Sequence, residues 1–451
     1  MTDMKKLHDQ RLGRYQAAMA MEPVDRIPLA SGVTPFAEIY SGNNKQEVIY
    51  DQEKWLQGEI KFCQDFPVTD TLRDNRIYGP LFDALGVVNY KLPGRDLSVD
   101  TQFQFVEKEY MLADEYEAFI ANPTEFIVTK AWPRFMRPLA QPGSVEYATA
   151  LFKAGLCQAT FGAHMMRRTQ TLANECGMPQ PMSGFFLAPF DALSDTLRDL
   201  KGIMRDMRRQ PDNVIKACDV LADEMANLAL NTADQTRGIP VFCPTHKAMF
   251  LNPKEFDTFY WPSLKKVLDI LIAAGHRVRL LLEGNWGPHI HHFLELPRAS
   301  LVLDIDGQGD IYQASEVVGH HHCLAGGLND PILILGTVDQ VREKVKNLCE
   351  TVGRKPGYIV NGACNIPYDT KPENYRAVCE AVEEFGKFDP SLKPAPRQGV
   401  AGPRPAPKMT TTWAQQKALI NAPVPGDEAL IKAPWDRFEI MAYIFWWQWV
   451  V

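Results

Sequence analysis

No stretch of the 451-residue chain is an uninterrupted apolar run of the roughly 18 residues that a membrane-spanning helix needs. The N-terminal segment is polar and lacks the apolar core of a secretory signal. No two cysteines stand in C-x-x-C spacing. Cys63, Cys157, Cys176, Cys218, Cys243, Cys323, Cys349, Cys364 and Cys379 are scattered, so neither a zinc ribbon nor a disulfide framework is readable. Positive charge is in deficit: Lys plus Arg is 48, Asp plus Glu is 55, and the net charge is -7. Nucleic-acid binding through a basic face is therefore not expected. No G-x-G-x-x-G follows the first apolar run, which argues against a doubly wound dinucleotide-binding sheet. What remains is 45% hydrophobic and 23% charged, the composition of a globular chain with an ample core. The expected location is the cytoplasm, with most thiols buried.

Residues 3–21 show helical spacing. After them, short apolar runs alternate with helical stretches. The runs are Ile27–Gly32, Pro67–Asp74, Met182–Phe190, Ile239–His246, Val278–Asn285, Leu301–Gly307, Cys323–Leu328 and Tyr358–Cys364. Continuous apolar runs of this length read as buried parallel strands, and strand–helix alternation reads as βαβ units. Eight units close most naturally into an α/β fold of the (β/α)₈ TIM-barrel type. The gap 75–181 is too long for one crossover. It predicts an insertion after the second strand, with a hairpin over Val88–Val106 turning at Pro93-Gly94 and two helical segments. Residues 1–388 then form the barrel domain. Residues 389–451 form a C-terminal extension: a Pro-rich linker over 389–407 and an aromatic tail, which is expected to pack on the barrel or on a second subunit.

In such a barrel the chemistry sits where the strands end. The residues there include Ser31, Asp70, Arg73, Asp191, Thr245, His246, Glu283, Asn285, Asp304, Asp306, Asn329, Cys364 and Asn365. Glu283 is the sharpest case. It follows Leu280-Leu281-Leu282, and a carboxylate there is costly to bury unless it is paired or metal-bound. A salt bridge to Arg277 or Arg279 is the alternative. Cys364 is either a site sulfur or a small core thiol. His246 ends its strand and is well placed. His320, His321 and His322 precede a strand start and read as structural. His289, His291 and His292 read as a solvated helix face.

Several stretches are similar to the uroporphyrinogen decarboxylase superfamily, which includes corrinoid-dependent methyltransferases. Glu22-Pro23-Val24-Asp25-Arg26-Ile27-Pro28 resembles its opening strand and Gly184–Phe190 its third. Glu283-Gly284-Asn285 matches a Gly-Asn turn. Gly326–Pro331 with Leu335-Gly336-Thr337 resembles the seventh strand and next helix start. Gly362–Pro367 and Asp369–Asn374 resemble the eighth. The decarboxylases carry Arg-Gln-Ala-Gly-Arg-Tyr after the opening strand to grip porphyrin carboxylates. Here that place reads Ser31-Gly32-Val33-Thr34-Pro35-Phe36-Ala37, without arginine. Zinc methyltransferase relatives have His-x-Cys before the Gly-Asn turn and a second Cys at the last strand end. Cys364 fits the latter, but the former reads Leu281-Leu282-Glu283.

The resemblance thus implies a methyltransferase of the branch that demethylates aryl methyl ethers. The methyl group would pass from a small-molecule donor to the Co(I) corrinoid of a partner protein. Zinc would be held by Glu283, Cys364 and His246, with Asp306 as an alternative ligand. An oxygen ligand leaves zinc more electrophilic than a thiolate-rich set, which suits an ether oxygen. Glu283, Asp304 and Asp306 are the candidate catalytic groups, the two aspartates as a crowded pair supplying an acid. Phe185, Phe186 and Asn285 are candidates for binding the substrate. A uroporphyrinogen decarboxylase-like carboxy-lyase is the alternative. A homo-oligomer is compatible with the sequence; nucleic-acid and membrane partners are not expected.

Overall fold

The computed structural model describes residues 3–31, 36–73, 77–362, 366–389, 391–397, 399, 402, 405–420, 423–424 and 426–451. Ten strands are present among them: β1 (Ala30–Ser31), β2 (Thr71–Leu72), β3 (Tyr90–Lys91), β4 (Gln104–Phe105), β5 (Ser183–Phe185), β6 (Val241–Thr245), β7 (Val278–Leu282), β8 (Leu301–Ile305), β9 (Cys323–Leu328) and β10 (Tyr358–Gly362). β5 to β10 form one parallel sheet in sequence order, and β1 pairs parallel with β2. A parallel bridge from Leu29 to Val360 joins the two sets. The spatial order is therefore β2-β1-β10-β9-β8-β7-β6-β5, eight parallel strands that follow chain order around the ring, with the first, β1, beside the last, β10. That is the (β/α)₈ barrel. Each expected apolar run contains one of these strands, although the first two shrink to a pair of residues each.

The strands are buried because both faces are covered. Leu280, Leu282, Leu301 and Leu303 point outward into the helix layer, and Phe242 and Leu281 point into the barrel with Met182. The helix Asp3–Met19 stops the N-terminal mouth: Tyr15, Ala18 and Met19 pack against Val302, Cys323 and Ile359. Inside the stopper Arg279 bonds Asp304 at 2.5 Å and Tyr15 Oη at 3.1 Å, and Asn361 donates to Asp304 at 2.8 Å.

The insertion holds the expected antiparallel pair, β3 with β4, but residues 92–103 join the strands, a longer connection than a Pro93-Gly94 turn. It holds more helices than the two expected, the longest being Val145–Cys176, capped by Ser144 and ended by Gly177 at φ 59°. Described residues of the Pro-rich segment meet the barrel's stopped end: Arg397 N–H donates to Gln16 Oε1 at 2.6 Å and Gly399 N–H to Thr236 O at 3.0 Å. The aromatic tail packs on the barrel. Trp447 and Val450 are fully buried, and Tyr443 bonds Glu224. No helix among the described residues is long and apolar enough to cross a membrane.

Candidate active site

At the open mouth three adjacent strand ends supply the polar groups. His246 follows β6, Glu283 follows β7 and Asp306 follows β8. In-register pairing of β6 with β7, Thr245 beside Leu282, sets His246 and Glu283 side by side on the inner face. His246 Nε2 lies 3.9 Å from Glu283 Oε1. The other ring nitrogen, Nδ1, is held by Asp195 at 2.5 Å. Asp195 comes from the π-helical segment Leu193–Arg198 that follows β5 and also pairs with Lys247 Nζ at 2.8 Å, which in turn reaches Glu107 at 2.7 Å.

Behind this layer Asp191 is fully buried. It accepts the backbone N–H of His246 at 2.8 Å and of Lys247 at 3.1 Å, and the Tyr260 hydroxyl at 2.7 Å. Three donors on one carboxylate fix the loop that carries His246. Burial, reinforced by the charge of Asp195, pushes the Asp191 carboxyl up to about 7, against the pull of His246. Burial works against charge on His246 as well, but the Asp195 carboxylate, Asp191 and Glu283 outweigh it and raise the imidazole to about 9. Burial also would raise Asp195, yet His246 and Lys247 hold it below the usual carboxylate range. Glu283 is raised by burial, with Asp306 and Asp195 adding and His246 and Arg73 opposing. Its side chain keeps 36% exposure, so it faces the mouth rather than the core.

The other sequence candidates separate. Asp304 sits one layer deeper than the mouth, committed to Arg279 and Asn361. Asp306 turns to the backbone, accepting from Gly284 N–H at 2.9 Å and Gly307 N–H at 2.6 Å. The two share an inward face but form no contact with each other among the described residues, so the crowded pair is not built: Arg279 claims one partner and the Gly284 loop the other. Arg279 thereby leaves Glu283 alone, and Arg277 bonds the Ala299 carbonyl at 3.1 Å. The alternative salt bridge for Glu283 is absent. Phe185 is half-buried and packs on Phe242 at 5.9 Å. Phe186 is fully buried, because side chains alternate across a strand. Asn285 is exposed and its Oδ1 accepts from Gly287 N–H at 2.9 Å, a turn-forming role. Cys364 lies outside the described residues. His289 departs from the expected solvated face: it is buried, stacks on Phe256 at 4.1 Å and bonds Leu251 O at 3.1 Å.

Asp191, Asp195 and Lys247 complete the site without standing out in the sequence as a group. Arg73, after β2, places its guanidinium 4.4 Å from the Phe242 ring centroid. It lines the barrel interior together with Arg279 and Asp304.

Comparison with known proteins fits this architecture. Residues 127–385, more than half of the chain, match the family described as uroporphyrinogen decarboxylase (URO-D). The chain belongs to the uroporphyrinogen decarboxylase family. A uroporphyrinogen decarboxylase from Pseudoalteromonas translucida is 24% identical over 268 residues, 58% of this chain and 73% of that one. The enzyme of the same name from Carboxydothermus hydrogenoformans is 29% identical over 140 residues, 31% of this chain and 38% of its own length. A methyltransferase from Methanosarcina mazei superposes with a TM-score of 0.58 at 18% identity, over 82% of this chain and 98% of that one. The likeness to this last structure is one of fold.

Within this decarboxylase-family barrel, the mouth offers two donor groups of the kind a divalent ion takes. An imidazole nitrogen and a carboxylate oxygen face each other, and the far side of the imidazole is fixed by a carboxylate, as in histidines that ligate zinc. Among the described residues these two are the converging donors, and no group of three is present.

Proposed function

We propose that the protein is a methyltransferase that removes a methyl group from a small molecule, an aryl methyl ether, and delivers it to the Co(I) corrinoid of a partner protein. The observation that supports this reading is the His246–Glu283 pair at the open rim with Asp195 behind the imidazole. Glu283, His246 and Cys364 would hold zinc, whose contribution is to polarise the leaving oxygen. Asp195 holds the ring so that Nε2 faces the mouth, and Asp191 holds the loop that carries the ring. Phe242 and Phe185 offer an aromatic wall beside Arg73, a setting for an aryl ring that leaves as a phenolate. Met182, Phe242 and Leu281 form an apolar cluster on one side of the floor.

The test is methyl transfer to cob(I)alamin, followed by its visible spectrum, for wild type and Glu283→Gln, with zinc measured by elemental analysis. The expected result is about one zinc per chain in wild type. In the variant, transfer falls by at least about 100-fold with the circular dichroism unchanged. Full activity in Glu283→Gln removes the polarisation mechanism.

One observation favours a second reading. The chain matches the uroporphyrinogen decarboxylase family over residues 127–385, and a carboxy-lyase acting on an acidic tetrapyrrole accords with that match. Release of CO₂ from such an acid, with no methyl transfer, would decide for it.

A further inference from the structure

Two cysteines from distant parts of the chain stand against each other. Cys63 lies in the last turn of the helix Gln52–Asp65, and Cys176 ends the helix Val145–Cys176. The two helices run side by side in one direction. Trp55 packs on His164 at 5.4 Å between ring centroids, and one turn later Glu59 bonds Arg168 at 2.5 Å. One turn after Glu59 comes Cys63, where the two thiols meet in a side-chain hydrogen bond. Cys63 is 5% exposed and Cys176 8%. Arg11 fixes the chain ends that carry them. One guanidinium nitrogen donates to the carbonyls of Cys176 at 2.8 Å and Gly177 at 3.0 Å, and the other to that of Pro67 at 2.5 Å. Both thiols are free.

The two sulfurs differ in acidity. The hydrogen bond with Cys63, aided by Arg11, holds Cys176 below the ordinary thiol value against burial and Glu175. The same bond, reinforced by burial, pushes Cys63 up. Burial raises every other described cysteine, Cys323, Cys349 and Cys379 to about 12. A thiol that ionises more readily than its fellows, with a second thiol in contact, is the arrangement of an attacking and a resolving cysteine. We propose that Cys63 and Cys176 are a redox pair that a hydroperoxide converts into an internal disulfide. With hydrogen peroxide, the Cys176 thiolate attacks one oxygen, the O–O bond breaks, and a sulfenic acid and hydroxide form. The Cys63 sulfur then displaces the sulfenic oxygen, which leaves as water with the Cys63 proton. Two thiols lose two electrons and two protons, and the peroxide becomes two waters. The bond ties the last long helix of the insertion to a barrel helix. It closes a loop that contains Glu107, the partner of Lys247 at the mouth.

Peptide mapping of the full chain tests it. The protein is purified under reductant, treated with hydrogen peroxide, alkylated in denaturant without reductant and mapped by mass spectrometry. The expected product is a Cys63–Cys176 linked peptide, reversed by dithiothreitol, with Cys218, Cys243 and Cys323 still alkylated. The thermal transition of the oxidised form should lie above that of the reduced form, because a cross-link over a long loop restricts the unfolded chain. In Cys63→Ala the sulfenic acid has no partner, and dimedone should trap Cys176 at least about 10-fold more than in wild type. The wild-type map decides even where that variant fails to fold. Cys63 and Cys176 both alkylated singly after peroxide treatment overturns the proposal. So does a bond from either of them to a third cysteine, or an oxidised form no more stable than the reduced one.

Discussion

His322 shows how a single ring can bind the stability of this chain to pH. It is fully buried and bonds the Phe293 carbonyl at 2.8 Å. Burial, aided by His321 and His320, brings it down to about 4. Below the ordinary value near 6.5 the unfolded chain therefore takes up a proton that the folded chain refuses. The folded state keeps its full stability above that value and loses it as pH falls toward 4, by about 2–3 kcal/mol at pH 4.5. The urea midpoint of wild type should drop between pH 7 and 4.5 by more than that of His322→Gln, and equal drops would refute the assignment. The sequence already marked this histidine as structural rather than metal-binding from its place before a strand. By contrast, the burial of His289 was not legible, because the Phe256 ring that covers it comes from another segment.

At the level of elements, the strands were readable because parallel strands covered on both faces are written as continuous apolar runs. The site was readable in part: His246 and Glu283 end such runs, and adjacent pairing of β6 with β7 brings them together. Asp195 was hidden, since it lies within the π-helical segment Leu193–Arg198 and works through a partner 51 positions away. The pairing of Asp304 was hidden for the same reason, as nothing local announces that Arg279 is its partner. The Gly326-Gly327 pair, recognised as part of a resemblance, has a plain physical cause. Gly326 sits at φ 111°, and a side-chain carbon there would stand 2.4 Å from the Ile305 carbonyl oxygen. Strand β9 can thus lie beside β8 without displacing the chain that leads to Asp306. Gly326→Ala should cost about 2–4 kcal/mol in a urea titration, combining a strained backbone with a clash. An undiminished midpoint would show that the barrel relaxes there.

Across the whole molecule, the two ends of the described chain grip the barrel at different places. The helix Asp3–Met19 stops one mouth, and the aromatic tail lies against the helices that flank the other. Trp447 is fully buried and close to Tyr443, so Trp447→Ala should lower stability by about 3–5 kcal/mol, seen as an earlier urea midpoint and a rise in dye binding to exposed apolar surface. The carbonyl of Val450 accepts from Thr196 Oγ1 at 3.2 Å across 254 positions, and Thr196 adjoins Asp195. During translation, the π-helical segment that aims the His246 ring must wait for this cover while those positions are made, roughly 10–50 s at ordinary ribosome speeds. Nascent chains halted short of Trp447 should therefore be the form that chaperones hold.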